Sequence, residues 1–221
     1  GYRTADGRIV KWDKVFRSGS LTNLTDKDYA ALAPLHIQTI VDFRTDAERA
    51  AEPTQWRAGS PDILVKDNAL GGDSATFARA LMAPGATPDS VRATMIAFYR
   101  ELPEQYADQY SVVFKRLAQS DDALVFHCSA GKDRTGIAAA LVLSALGVPR
   151  ATVVEDYAMS EKVVDYRALI SKPAAQTGSA SFDALRKLPP ENVAPLMRSD
   201  PAYINAALDQ IDSQYGSVEG Y

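Results

Sequence analysis

The chain has little of several things, and each shortage removes a class of explanation. It contains one cysteine, Cys128, in 221 residues. No internal disulfide can form, so a fold stapled by bridges is excluded. Its two histidines, His36 and His127, lie far apart. No cluster of His, Cys or carboxylates shows metal-ligand spacing, so no metal or other cofactor is expected. No run of about twenty apolar residues occurs, and no segment reads as membrane-spanning. Positive charge is not in excess either: the net charge is −4 at pH 7. That argues against broad nucleic-acid binding and against adhesion to anionic lipid through bulk charge. Internal repeats and linkers are also missing, so residues 1–221 read as a single domain.

The one cysteine sits in the most organised stretch of the chain. Residues 124–126 are apolar and read as a short buried strand. A turn containing Gly131 follows. Residues 135–146 then form a nearly unbroken apolar helix that Gly147 and Pro149 end. Cys128 therefore stands where a strand hands over to a helix N-terminus, with five residues between it and Arg134. In a loop this tight, the backbone N–H groups of Ser129, Ala130, Gly131, Lys132 and Asp133 can converge into a nest for an anion. The helix terminus adds partial positive charge. Arg134 offers a planar fork of donors to two oxygens of a phosphate. The same field favours thiolate over thiol and makes Cys128 a nucleophile. A lone cysteine at a strand end is more often a small buried hydrophobe. Here the strand–loop–helix setting, with His127, Gly131, Lys132, Thr135 and Gly136 around it, selects the functional reading.

The run His127-Cys128-Ser129-Ala130-Gly131-Lys132-Asp133-Arg134-Thr135-Gly136 resembles the signature of the cysteine-dependent phosphatases. More narrowly, it is similar to that of bacterial tyrosine/lipid phosphatases of the secreted mycobacterial type. Further segments carry the resemblance along nearly the whole chain: Val15-Phe16-Arg17-Ser18-Gly19, Val41-Asp42-Phe43-Arg44 with Glu48, Phe98-Tyr99-Arg100, Asp156-Tyr157 and Tyr215-Gly216-Ser217. The resemblance implies hydrolysis of phosphotyrosine through a phosphocysteine intermediate, with phosphoserine, phosphothreonine and phosphoinositides as further substrates. The partners expected are thus phosphorylated proteins or phosphoinositides. It also implies a chain clipped at both ends. A short segment normally precedes a start like Gly1-Tyr2 and can carry an export signal, so a soluble protein, cytoplasmic or exported, is expected. Two other functions share parts of the pattern. A rhodanese-type sulfurtransferase also uses one cysteine in a strand–loop–helix, with a loop one residue shorter. An inactive phosphate-binding module would lack the intact Cys128 and Arg134 pair.

Strands and helices alternate along the chain. Residues 14–17, 38–43 and 63–66 read as strands beside the catalytic one. Thr25 with Asp28, and Thr45 with Glu48, form capping boxes that open helices. Helices are expected over 89–101 and again from Pro103, over 150–160 and 161–170, and from Pro201 to a Gly216 cap. This pattern predicts an α/β fold with a mostly parallel central sheet flanked by helices, the cysteine phosphatase fold, its site at the carboxyl end of the central strand. Residues 171–200 stand apart, with four prolines around a weak helical pattern. They read as a helical lid inserted over the site.

Within the loop, Cys128 is the expected nucleophile and Arg134 the phosphate clamp. Ser129, Ala130, Gly131 and Lys132 form the substrate cradle. Thr135 either hydrogen-bonds the thiolate or is a plain helix-start residue. His127 is expected to orient the loop, not to transfer protons. Lys132 reads as a second cation at the rim, suited to a second phosphate. The resemblance places Tyr99 beside the substrate pocket and makes Asp133 the general acid. Asp67 and Asp73, on the loop after the third strand, are rivals for that role.

Overall fold

The computed structural model describes residues 1–66, 79–165 and 188–221. Four strands form one parallel sheet: β1 (Val15–Ser18), β2 (Ile37–Asp42), β3 (Asp62–Val65) and β4 (Ala123–His127), in the order β1-β4-β2-β3. Between and after them come α1 (Asp26–Leu32), α2 (Asp46–Ala51), α3 (Pro88–Gln119), α4 (Asp133–Ala145), α5 (Arg150–Ala158), α6 (Ser160–Val163), α7 (Pro190–Met197) and α8 (Pro201–Tyr215). The α/β architecture with a parallel sheet is the one the sequence predicts.

Strand β4 lies inside the sheet, paired with β1 on one side and β2 on the other. All five of its residues are buried, which is why its sequence is a continuous apolar run rather than an alternating one. Its side chains still alternate between faces. Leu124 and Phe126 enter the larger core, with Tyr99, Tyr106, Tyr110, Ile137, Leu141 and Ile204. Ala123 and Val125 enter the smaller one, with Leu21, Ile37 and Ile40. The carboxyl ends of β1, β2 and β4 thus emerge together, and Cys128 follows β4 directly.

The helix starts obey their sequence signals. Thr25–Asp28, Thr45–Glu48 and Thr87–Ser90 each make a reciprocal capping box, and Asp200 caps α8 through the amide of Ala202. Gly216 ends α8 in a left-handed conformation, as expected.

One expectation needs correction. The two helices expected on either side of Pro103 are one, the 32-residue α3. Pro103 lacks the N–H that would bond the carbonyl of Tyr99, normally a helix-breaking defect. Here Tyr99, Leu102, Pro103 and Tyr106 are all buried, so packing in the core, with α8 as the main neighbour, holds the helix through the proline. The Pro103 carbonyl accepts from the Tyr221 hydroxyl at 2.7 Å. The segment 171–200, expected as a lid, is described only in part. Residues 171–187 lie outside the described residues. The remainder contains α7, with Leu188, Asn192 and Leu196 buried and the Asn192 amide donating to the Ala86 carbonyl at 3.0 Å. Leu188 and Leu196 belong to the larger core.

Candidate active site

The loop from Cys128 to Asp133 is held in shape by its neighbour, the turn after β1. The Ser20 amide donates to the Ser129 carbonyl at 3.0 Å. Gly131 has φ +68°, and a Cβ there would lie 2.6 Å from the Gly19 nitrogen and 2.7 Å from the Ser18 carbonyl. Both the left-handed conformation and the close approach demand glycine at this position. Helix α4 then begins at Asp133 with no side chain capping it, in contrast to α1, α2, α3 and α8. An uncapped N-terminus beneath a tight loop is suited to receive an anion. Cys128 lies at the floor of this loop and is 1% exposed.

Arg134 is anchored from behind. Its Nη1 and Nη2 donate to Glu48 Oε2 and Oε1 at 2.7 and 2.8 Å, and Nη1 also reaches the Phe43 carbonyl at 3.1 Å. A guanidinium has five N–H groups. These three bonds occupy one edge and the far corner. Among the described residues no hydrogen bond takes up the other edge, Nε–H with the second Nη2–H, a parallel fork that matches two oxygens of a tetrahedral anion. The Tyr106 ring lies alongside, 6.0 Å from the guanidinium carbon.

Glu48 is the residue whose role the sequence reading missed. It was legible as a helix-capping residue and as part of the family resemblance, but not as the anchor of Arg134. Its carboxylate accepts from Arg134 twice, from the Thr45 amide at 2.8 Å and from the Ser129 hydroxyl. Burial pushes its pKa up, but these donors outweigh it and bring the carboxyl from 4.5 to about 2. Glu48 is therefore ionised throughout the physiological range and ties α2, the loop and Arg134 together.

The other expected site residues divide. Asp133 stands at the loop rim with its side chain 24% exposed. Lys132 does not stand there as a free cation. It is 1% exposed, with Nζ 2.6 Å from Asp133 Oδ1. Its position before the helix turns the side chain inward, and the ion pair satisfies the buried ammonium. Tyr99 is not on the pocket wall either. It is fully buried beneath the loop, because it projects from α3 into the aromatic core, and its hydroxyl donates to Asp133 Oδ1 at 2.5 Å. Thr135 is fully buried and its hydroxyl makes no hydrogen bond among the described residues. Ser129 and Ala130 lie on the loop as expected. Asp67 and Asp73 lie outside the described residues.

His127 is fully buried, its Nδ1 3.4 Å from the Cys128 carbonyl and its Nε2 3.6 Å from Asp42. Burial lowers its pKa from 6.5 to about 4 against the pull of Asp42. The ring is neutral at pH 7, as a residue that shapes the loop requires.

Comparison with known proteins agrees with this geometry. The model of the tyrosine phosphatase family matches residues 1–221. A protein of Cupriavidus necator provisionally named a tyrosine-protein phosphatase is 31% identical over 221 residues, covering 100% of this chain and 77% of its own length. A tyrosine-protein phosphatase of Nostoc commune is 34% identical over 217 residues, covering 95% of this chain and 68% of its own. The triple specificity protein phosphatase PtpB of Mycobacterium tuberculosis is 32% identical over 238 residues, covering 94% and 84%. The chain belongs to the tyrosine phosphatase family. No helix among the described residues is long and apolar enough to cross a membrane.

Proposed function

We propose that the chain hydrolyses phosphotyrosine in proteins through a phosphocysteine intermediate, with Cys128 as nucleophile, Arg134 as phosphate clamp and Asp133 as general acid. The observation that carries this reading is the edge of Arg134 left over from Glu48, in the same loop as a buried Cys128 and at an uncapped helix start. In the first step Cys128 Sγ attacks phosphorus in line. The phosphorus–oxygen bond to the leaving group breaks, and Asp133 gives that oxygen its proton. The loop amides and the Arg134 fork hold the equatorial oxygens as charge shifts onto them. In the second step a water attacks the phosphocysteine and loses its proton to the Asp133 carboxylate. Inorganic phosphate leaves and the Cys128 thiolate returns.

The depth of Cys128 favours the long phosphotyrosine side chain over phosphoserine. A relative named a triple specificity phosphatase supports wider use, with phosphoserine, phosphothreonine and phosphoinositides as additional substrates. Lys132 is committed to Asp133 and is not the residue to hold a second phosphate. The test is relative turnover on phosphotyrosine peptides, phosphoserine peptides and phosphoinositides, with Cys128→Ser as the blank. Thiosulfate–cyanide sulfur transfer without phosphatase activity would overturn the reading in favour of a sulfurtransferase.

A further inference from the structure

The face of Asp133 that points into the protein is built more elaborately than a loop residue needs. Its Oδ1 accepts two hydrogen bonds, from Tyr99 at 2.5 Å and from Lys132 at 2.6 Å, and both donors are buried. Behind Tyr99 stands Tyr157 of α5, also buried, with the two hydroxyl oxygens 2.6 Å apart. Each phenol has one proton. When Tyr99 gives its proton to Asp133, the bond between the phenols must run from Tyr157 to Tyr99. Burial and the nearby carboxylate push the Tyr99 phenol well above its usual 10, so it stays a donor. Two further contacts fix the pair. The Tyr99 ring packs against Tyr203 at 5.4 Å between centroids. The Tyr157 ring lies against Gly136, where a Cβ would sit 2.8 Å from its Cδ2. Gly136 has an ordinary helical backbone, so room for this ring is the reason for glycine there.

We propose that Tyr99 and Tyr157 are positioning residues for the acid step, with Gly136 as the seat that admits Tyr157. With Oδ1 saturated by two donors, a proton on Asp133 resides on Oδ2, the oxygen left toward the open side of the loop. The chain Tyr157–Tyr99–Asp133 thereby selects which carboxyl oxygen protonates the leaving group and fixes its direction. The inference rests on Asp133 being the acid.

The test compares phenyl phosphate, a poor leaving group that needs protonation, with 4-nitrophenyl phosphate, which does not. Tyr99→Phe keeps the ring and removes the hydroxyl. It should lower kcat on phenyl phosphate roughly tenfold and on 4-nitrophenyl phosphate by about twofold or less. Tyr157→Phe should show the same split more weakly, and it serves as the second probe should Tyr99→Phe lower the melting temperature markedly. Gly136→Ala should reproduce the split without touching either hydroxyl. In an Asp133→Asn background, Tyr99→Phe should add no further loss on phenyl phosphate. Equal losses on both substrates from Tyr99→Phe and Tyr157→Phe, or additive losses with Asp133→Asn, would overturn the positioning role while leaving Asp133 as the acid. No split in Asp133→Asn itself would overturn the acid assignment, and the inference with it.

Discussion

Two arginines in this protein each grip a carboxylate, and they do different things. Arg44, at the end of β2, is 1% exposed. Its Nε and Nη2 bond Asp42, Nη1 bonds the Glu52 carbonyl at 2.6 Å and Ser20, and Nη2 also reaches Thr54 at 2.8 Å. All five of its donors are engaged within the protein. Arg134 grips Glu48 by one edge and keeps the other for an anion. Ion pairing is common to both sites, though Arg44 is fully buried and Arg134 half-buried; the number of donors left over differs. A saturated guanidinium is a structural rivet, and one with a spare edge is a binding group.

The largest expected effect breaks the comparison on the Arg134 side. Arg134→Lys keeps the charge but loses the parallel fork, and kcat should fall by roughly 10²–10³-fold. Arg44→Lys should do the reverse. It leaves several buried acceptors without donors, lowering stability by roughly 2–3 kcal/mol in a denaturant titration, while kcat of the folded enzyme stays within about threefold. Equal catalytic loss in both variants would erase the distinction drawn here.

Glu48→Gln sharpens the contrast, because it keeps the shape of the anchor and removes its charge. Arg134 then loses half of its orientation, and kcat should fall by about tenfold with a smaller rise in KM. Steady-state kinetics on an aryl phosphate would check this.

Much of this site can be read from the sequence, and the limits have a physical cause. Cys128, Gly131 and Arg134 announce themselves by local spacing, since loop, glycine and helix start are neighbours in the chain. Capping boxes at Thr25 and Thr45 are equally local, as are the strands. The partners of the loop are not. Glu48 reaches Arg134 across 86 residues, and Tyr99 reaches Asp133 across 34. Lys132 looked like a rim cation because its sequence neighbours say nothing of which way it turns. Pro103 looked like a helix boundary because its effect on one hydrogen bond is local, whereas the packing that overrides it comes from core residues distant in the chain, α8 among them.

The last effect concerns pH. His127 binds its proton at about 4 when folded and near 6.5 when unfolded. Between those values the unfolded chain holds more protons, so the contribution is complete above about pH 6.5 and is lost as pH falls toward 4, on the order of 3 kcal/mol. His127→Asn should flatten the stability profile in that window. Glu48, with its folded value of about 2 against 4.5, loses its contribution at lower pH and should still do so in that variant.

The central claim is that phosphate passes through one sulfur. The direct measurement is to mix the enzyme with an aryl phosphate, quench in acid during turnover, and map the phosphorylated residue by peptide mass analysis. A single phosphoryl group on the peptide containing Cys128, and none on the Cys128→Ser protein, is the predicted result. Phosphate on another residue, or turnover that persists in Cys128→Ser, would contradict the account.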